Sequence, residues 1–436
     1  MPDTRRTSYA DLFRTPEFSP LFLSSSANIA AQTVSGLALG TLVFRATGSP
    51  LLSAVSMFGP ALAQVLGATL FLSGADRLAP RTTLAALSLA FAAATAALAL
   101  PGLPVWAMLA IVLVEGLIAS LGGGVRWGLL TEILTKDGYL TGRSLFNMMS
   151  GVMQIAGYAA GGVLVTLLSP RLCLLLAAGL YATAAALALR LTRRPPRATG
   201  RPSVRATWRA NALLWSARPR RHVLLALWIP NGLVVGCESL YVSYDPRAAG
   251  TLFACAALGM LAGDVTVGRL LPARLRPRFG VPLLVLLAAP YLALFLHPPL
   301  PVTAALVALA SVGFGASLVQ QERLVALTPD ELSGHVLGLH SAGMLTLQGA
   351  SATLAGTVAQ FTFPATAMTV MAAGSLTVTL ALTVASRRDA ADGGAAAEAG
   401  PGGVRSPGGG CRRACPPPRH HGPAGSGCVA DGPGAD

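Results

Sequence analysis

Runs of about twenty apolar residues recur along almost the whole of this 436-residue chain, and a soluble fold has no core large enough to hide them. They lie near 20–44, 51–73, 82–101, 104–126, 143–168 and 171–191, then near 222–243, 247–271, 279–297, 300–320, 334–358 and 364–386. Each is long enough to cross a bilayer as a helix. The composition agrees: 11% of residues are charged, where soluble domains carry about a quarter. Length alone would suggest two or three soluble domains; these runs predict instead an all-α membrane protein with twelve transmembrane helices.

The arginines give the runs a direction. The net charge is +14, and Lys136 is the only lysine. With the N-terminus placed in the cytoplasm, 25 basic residues fall on inner connections and 3 (Arg45, Arg171, Arg247) on outer ones, the remaining 4 lying in the tail. That asymmetry is the one membrane insertion imposes. It explains the charge without nucleic acid and predicts cytoplasmic termini in a plasma membrane, with Arg/Ala-rich usage pointing to a bacterium. Residues 1–19 read as a cytoplasmic lead-in without a secretory signal. Residues 20–191 and 222–388 each hold six spans, and the Arg/Pro-rich stretch 192–221 links them. Residues 389–436 are Gly/Ala/Pro-rich and are expected to be disordered. The Cys411, Cys415, Cys428, His420 and His421 in that tail match no zinc spacing, so no metal or cofactor is expected.

The two sets of six repeat each other. "LTKDGYLTGR" (134–143) follows the fourth span and "LTPDELSGH" (327–335) the tenth. "PGLP" (101–104) and "PPLP" (298–301) join the third to fourth and ninth to tenth spans. Both polar phrases read as elbows, with Asp137 or Thr141 and Asp330 or Ser333 as helix caps. Arg143 and His335 stand just past the glycine of each phrase. Matching connections predict two pseudo-symmetric bundles with a substrate site near mid-membrane between them.

On these stretches the chain resembles the major facilitator superfamily, and within it bacterial drug exporters, over about residues 9–388. The lead-in "LFRTPEFSPLFLSSSANIAAQ" (12–32), the outer loop "RATGSPLLSA" (45–54) and the Asp-Arg loop "SGADRLAPR" (73–81) carry the likeness together with the two elbows. Leu72 and Pro80 replace glycines of the usual loop pattern. The resemblance implies a cytoplasmic gate, and Asp76, Arg77, Arg126, Glu132, Arg143 and His335 are placed to form it. Span five contains "GVMQIAGYAAGG" (151–162), similar to the glycine motif of proton antiporters, with Gly151, Gly157, Gly161 and Gly162; Tyr158 stands where that motif has proline. Tight helix packing explains the same glycines equally well.

Three carboxylates lie within spans: Glu115, Glu238 and Asp264. A charged side chain at a helix centre costs about 2.5–3.5 kcal/mol on insertion scales, so such groups mark ion or substrate paths. Glu115 has no basic residue nearby in sequence and is the first proton-coupling candidate; Asp264, five residues before Arg269, is expected to form an ion pair. Asn28, Gln32, Gln64, Asn147, Gln154, Asn231, His340 and Gln348 are polar positions that could line a cleft, although each alone is more often interhelical glue. There is no GxxxxGK[ST] phosphate loop and no soluble-enzyme motif. The expectation is a monomeric secondary transporter, not an enzyme, whose partners are a small molecule, protons and lipid. Proton-driven export of small amphipathic molecules stands first; import of a metabolite, or a transport-inactive sensor or scaffold, stand as alternatives.

Overall fold

Every predicted span is a helix in the computed structural model, which describes residues 9–71, 79–134, 136–195, 209, 212–272, 274–329 and 332–398. After a short helix Tyr9–Phe13, the first six are α1 (Phe18–Thr47), α2 (Pro50–Phe71), α3 (Pro80–Leu98), α4 (Val105–Ile133), α5 (Lys136–Leu167) and α6 (Pro170–Ala188). The second six are α7 (Arg218–Tyr244), α8 (Ala249–Leu270), α9 (Arg276–Leu296), α10 (Leu300–Ala326), α11 (Ser333–Phe361) and α12 (Pro364–Glu398). The chain divides into two units, Met1–Arg388 and Asp389–Asp436; the contacts discussed below belong to the first. Among the described residues there is no strand.

Eleven of the twelve helices are long and apolar enough to cross a membrane by themselves. The exception is α11, a 29-residue helix carrying His340, Gln348 and several Ser, Thr and Gly. Its position explains its polarity. It packs along α2 on one side and α7 on the other, so it meets protein rather than lipid over much of its length. The elbow phrases differ from expectation. Helix α5 already starts at Lys136, so Asp137 and Thr141 lie in its first turns and not before it. Helix α11 is preceded by Leu332 with no side-chain cap, and Asp330 lies outside the described residues.

Glycines let the helices of each bundle touch backbone to backbone, and they do so twice over. Helix α2 meets α4 where a Cβ on Gly67 would collide with the Leu117 carbonyl, and one on Gly116 with that of Pro60. Helix α8 meets α10 where a Cβ on Gly263 would collide with the Val312 carbonyl; Gly313, next in α10, touches the Leu283 carbonyl of α9. The turn between α3 and α4 uses Gly102 at φ 79°, and the turn between α9 and α10 uses His297 at φ 49°. Both are left-handed, which costs glycine little and histidine more.

Contacts between the two bundles run along α2 with α11 and α5 with α8. At the arginine-poor end they are close. Ser49 Oγ donates to Gln360 Oε1 at 2.6 Å, Tyr158 stacks on Phe253 with centroids 4.7 Å apart, and a Cβ on Gly162 would collide with Gly250. The same helix stripes continue toward the arginine-rich end as Gly151 on α5 and Leu261 and Asp264 on α8. There they are exposed, and a Cβ on Gly151 would meet nothing within 4 Å. Helices α5 and α8 therefore pack at one end and part at the other.

Candidate functional site

The polar residues of α7 and α11 meet each other. Trp228 Nε1 donates to His340 Nδ1 at 3.3 Å, and Gln348 Nε2 donates to Asn231 Oδ1 at 3.2 Å. His340 and Asn231 are both buried. Proline 230 lies between Trp228 and Asn231; its carbonyl accepts from Ser375 Oγ of α12. These two pairs hold α7 to α11, as interhelical glue does. Gln348→Met is expected to cost well under 2 kcal/mol in a reversible unfolding assay in detergent, because such bonds average about 0.6 kcal/mol in membranes; a larger loss would assign Gln348 a wider role.

In the first bundle, Asn28 Nδ2 donates to Ser88 Oγ at 3.1 Å and ties α1 to α3. Gln32 and Gln154 are exposed, and Gln64 is half-buried. The side chain of Asn147 lies outside the described residues.

Glu115 sits ten residues into α4, about 15 Å from its start at 1.5 Å per residue. That is about half the thickness of a bilayer core. Thr95 Oγ1 of α3 donates to Glu115 Oε1 at 3.4 Å. Tyr181 of α6 is within electrostatic reach of the carboxyl. Residues of α3 and α6 thus face one half-buried carboxyl of α4.

Glu238 is deeper in protein, 6% exposed, and its Oε1 has no hydrogen-bond partner among the described residues. Tyr158 of α5, Tyr241 and Tyr291 surround it electrostatically, and the Tyr241 and Tyr291 hydroxyls bond each other. One of these tyrosines, Tyr158, is also half of the Tyr158–Phe253 stack at the arginine-poor end. Asp264 is exposed on α8 and makes no ion pair with Arg269 or any other described residue, contrary to the expected pairing.

The arginine-rich end has two groupings. Arg194, just past α6, bonds Glu17 at 3.1 Å and Glu132 at 3.3 Å, drawing together the ends of α1, α4 and α6. Burial works against the charge on Arg194, but the bonds to Glu17 and Glu132 outweigh it and raise the guanidinium pKa. Arg126 and Arg143 instead lie over the Trp127 ring, 5.2 and 5.5 Å from its centroid. Asp76 and Arg77, and the side chain of His335, lie outside the described residues.

Of the glycine motif, Gly157 abuts Thr33, Gly161 abuts Val34 and Leu37, Gly162 abuts Gly250, and Gly151 is open. Sequence reasoning passed over Glu17, Arg194 and the tyrosines around Glu238. The echo of a tyrosine at 158 in place of proline was the one local signal for the last of these.

The sequence pattern of the Major Facilitator Superfamily matches residues 21–321, more than half of the chain. The chain belongs to the major facilitator superfamily. It is a multi-pass integral membrane protein and a transporter by family and fold. No curated protein matches its sequence. Solved structures of the superfamily resemble it at low identity. A POT family transporter in complex with a thioalcohol-conjugated peptide aligns with TM-score 0.67 at 11% identity, covering 85% of this chain and 96% of its own. The nucleoside transporter NupG aligns with TM-score 0.66 at 14% identity, covering 84% and 98%. A bacterial homologue of the human lysosomal transporter Spinster, inward-facing and occupied, aligns with TM-score 0.66 at 16% identity, covering 85% and 96%. At these identities the likeness concerns the fold.

Proposed function

We propose that this superfamily member is a proton-coupled antiporter that exports small amphipathic molecules from a bacterial cell by alternating access. The observation that carries the reading is a half-buried carboxyl midway along α4, Glu115, bonded by Thr95 of α3 in a bundle whose contacts with the other bundle are tightest at the arginine-poor end. With the arginine-rich end cytoplasmic, as the positive-inside asymmetry requires, the conformation is closed outward and open inward. The two six-helix bundles, 20–191 and 222–388, then rock about the α2–α11 and α5–α8 contacts. Arg126 and Arg143, with Asp76, Arg77, Glu132 and His335, are the inner gate, and the absence of ion pairs at Arg126 and Arg143 among the described residues fits a gate standing open. Glu115 carries the coupled proton, with Glu238 and Asp264 as further candidates. Gln32, Gln64, Gln154 and Asn147 contribute polar lining to the cleft. The resemblance of 151–162 to the antiporter glycine motif supports export; its glycines also pack α5 on α1 and α8, so the motif weighs less than Glu115.

Everted vesicles test the direction. With a panel of cationic and anionic fluorescent amphipathic dyes, an inside-acid gradient is expected to drive accumulation at least tenfold above vesicles lacking the protein. Accumulation only under the opposite gradient would replace export by proton-coupled import, and gradient-independent flux would remove proton coupling.

A further inference from the structure

We propose that Arg126, Arg143 and Trp127 form a binding site for an oxyanion, a carboxylate or phosphate group, at the arginine-rich end of the first bundle. Two guanidiniums from two helices, α4 and α5, approach one indole. An unpaired buried charge costs several kcal/mol. Among the described residues no carboxylate offsets it at Arg126 or Arg143. Arg126 Nε is buried with no hydrogen-bond partner, and neither arginine makes an ion pair, among the described residues. Two described carboxylates at this end, Glu17 and Glu132, bond Arg194; Asp76 and the side chain of Asp137 lie outside the described residues.

There is also room for a ligand. Helical side chains lean toward the N-terminus of their helix, so Arg126 runs over the turn that contains Gly123. A Cβ at Gly123 would meet nothing within 4 Å. The planar guanidinium fork matches a carboxylate or phosphate in two bonds at once, and the Trp127 ring supplies an apolar wall beside it. Arg126 lies seven residues before the end of α4 at Ile133, about 10 Å along the helix. Both the anionic group of a transported molecule entering from that end and the phosphate of a lipid can reach such a depth. The shared chemistry is the oxyanion.

The test is equilibrium binding to the full chain in nanodiscs, with no gradient, so that its outcome is independent of whether the protein exports or imports. In phosphatidylcholine nanodiscs the probe is radiolabelled benzoate, with benzylamine as the cationic counterpart. In a second arm, phosphatidylglycerol is added, its competition with benzoate is measured, and retained lipid is read by native mass spectrometry. Benzoate binding, phosphatidylglycerol retention, or both are expected in the wild type, and Arg126→Gln or Arg143→Gln should weaken whichever is seen at least tenfold. Arg126→Lys should recover part of the loss, and benzylamine binding should not fall. Benzoate binding alone assigns a soluble anion, and phosphatidylglycerol alone a headgroup. Equal binding of both probes by wild type and the two glutamine variants, each with a wild-type unfolding midpoint, overturns the site. So does failure of the wild type to bind either probe.

Discussion

Gly162→Leu is expected to lower transport at least tenfold while leaving the protein folded. Gly162 and Gly250 touch backbone to backbone across the α5–α8 contact, and the close neighbours of each are atoms of the other. The three atoms nearest a Cβ at either glycine belong to the other bundle, so each bundle is expected to fold with a larger residue there. A leucine at 162 cannot occupy the closed arginine-poor end without pushing α5 from α8. Overpacking of this kind costs about 1–3 kcal/mol, and the cost falls only on the conformation in which the two helices touch. At about 1.4 kcal/mol per tenfold, 3 kcal/mol shifts the balance between the two conformations by about 100-fold. A transporter that must pass through both then stalls. In a background stripped of native cysteines, Ser49→Cys reports the shift. Ser49 is bonded to Gln360 in the closed end, so its labelling by a membrane-impermeant maleimide should rise in Gly162→Leu. Gly162→Ala should fall between. Wild-type transport and labelling in the leucine variant would show that the Gly162–Gly250 contact is not part of the cycle.

What could be read before folding was set by what is local. Spans announce themselves because twenty apolar residues in a row have one use. The repeat was visible in the turns, since "PGLP" and "PPLP" must each reverse the chain, and Gly102 and His297 do so with the same left-handed backbone. A second trace of the repeat went unread: Gly67 and Gly263 are 196 residues apart, Gly116 and Gly313 are 197 apart, and all four are close backbone contacts. They look unremarkable in sequence because a chain with 48 glycines offers many coincidences.

The elbows misled in detail. "LTKDGYLTGR" contains two glycines and reads as a loop, yet α5 begins within it. Gly142 is there because a side chain would strike Leu134, not because the backbone must turn. Contacts between distant residues left no trace at all. Nothing in the sequence pairs Arg194 with Glu17, 177 residues away. Polar residues on α11 suggested a cleft, but a sequence shows polarity without showing the partner. Trp228 and Asn231 turn out to satisfy His340 and Gln348, which leaves Gln32 and Gln154 as the more open positions.

The second large effect is expected at Glu115. Glu115→Gln should abolish accumulation driven by a proton gradient, a loss of at least tenfold in everted vesicles, while facilitated flux down a substrate gradient persists. The substitution keeps the shape of the side chain and leaves an oxygen for Thr95 Oγ1, which lies 3.4 Å from the carboxyl. It removes only the ability to exchange a proton. Structural loss should therefore be small, and an unfolding midpoint close to the wild type separates a coupling defect from a folding defect. Glu115→Asp, which keeps the carboxyl but draws it back from Thr95, should retain part of the coupling. Glu238→Gln is the comparison that gives the result its meaning. Glu238 is buried, with Tyr158, Tyr241 and Tyr291 within electrostatic reach, where a neutral amide can leave closure intact. If gradient-driven accumulation survives Glu115→Gln and disappears in Glu238→Gln, the coupled proton belongs at the gate and not at mid-membrane. If it survives both, neither carboxyl carries it, and Asp264, exposed on α8 and without an ion pair among the described residues, becomes the group to replace next.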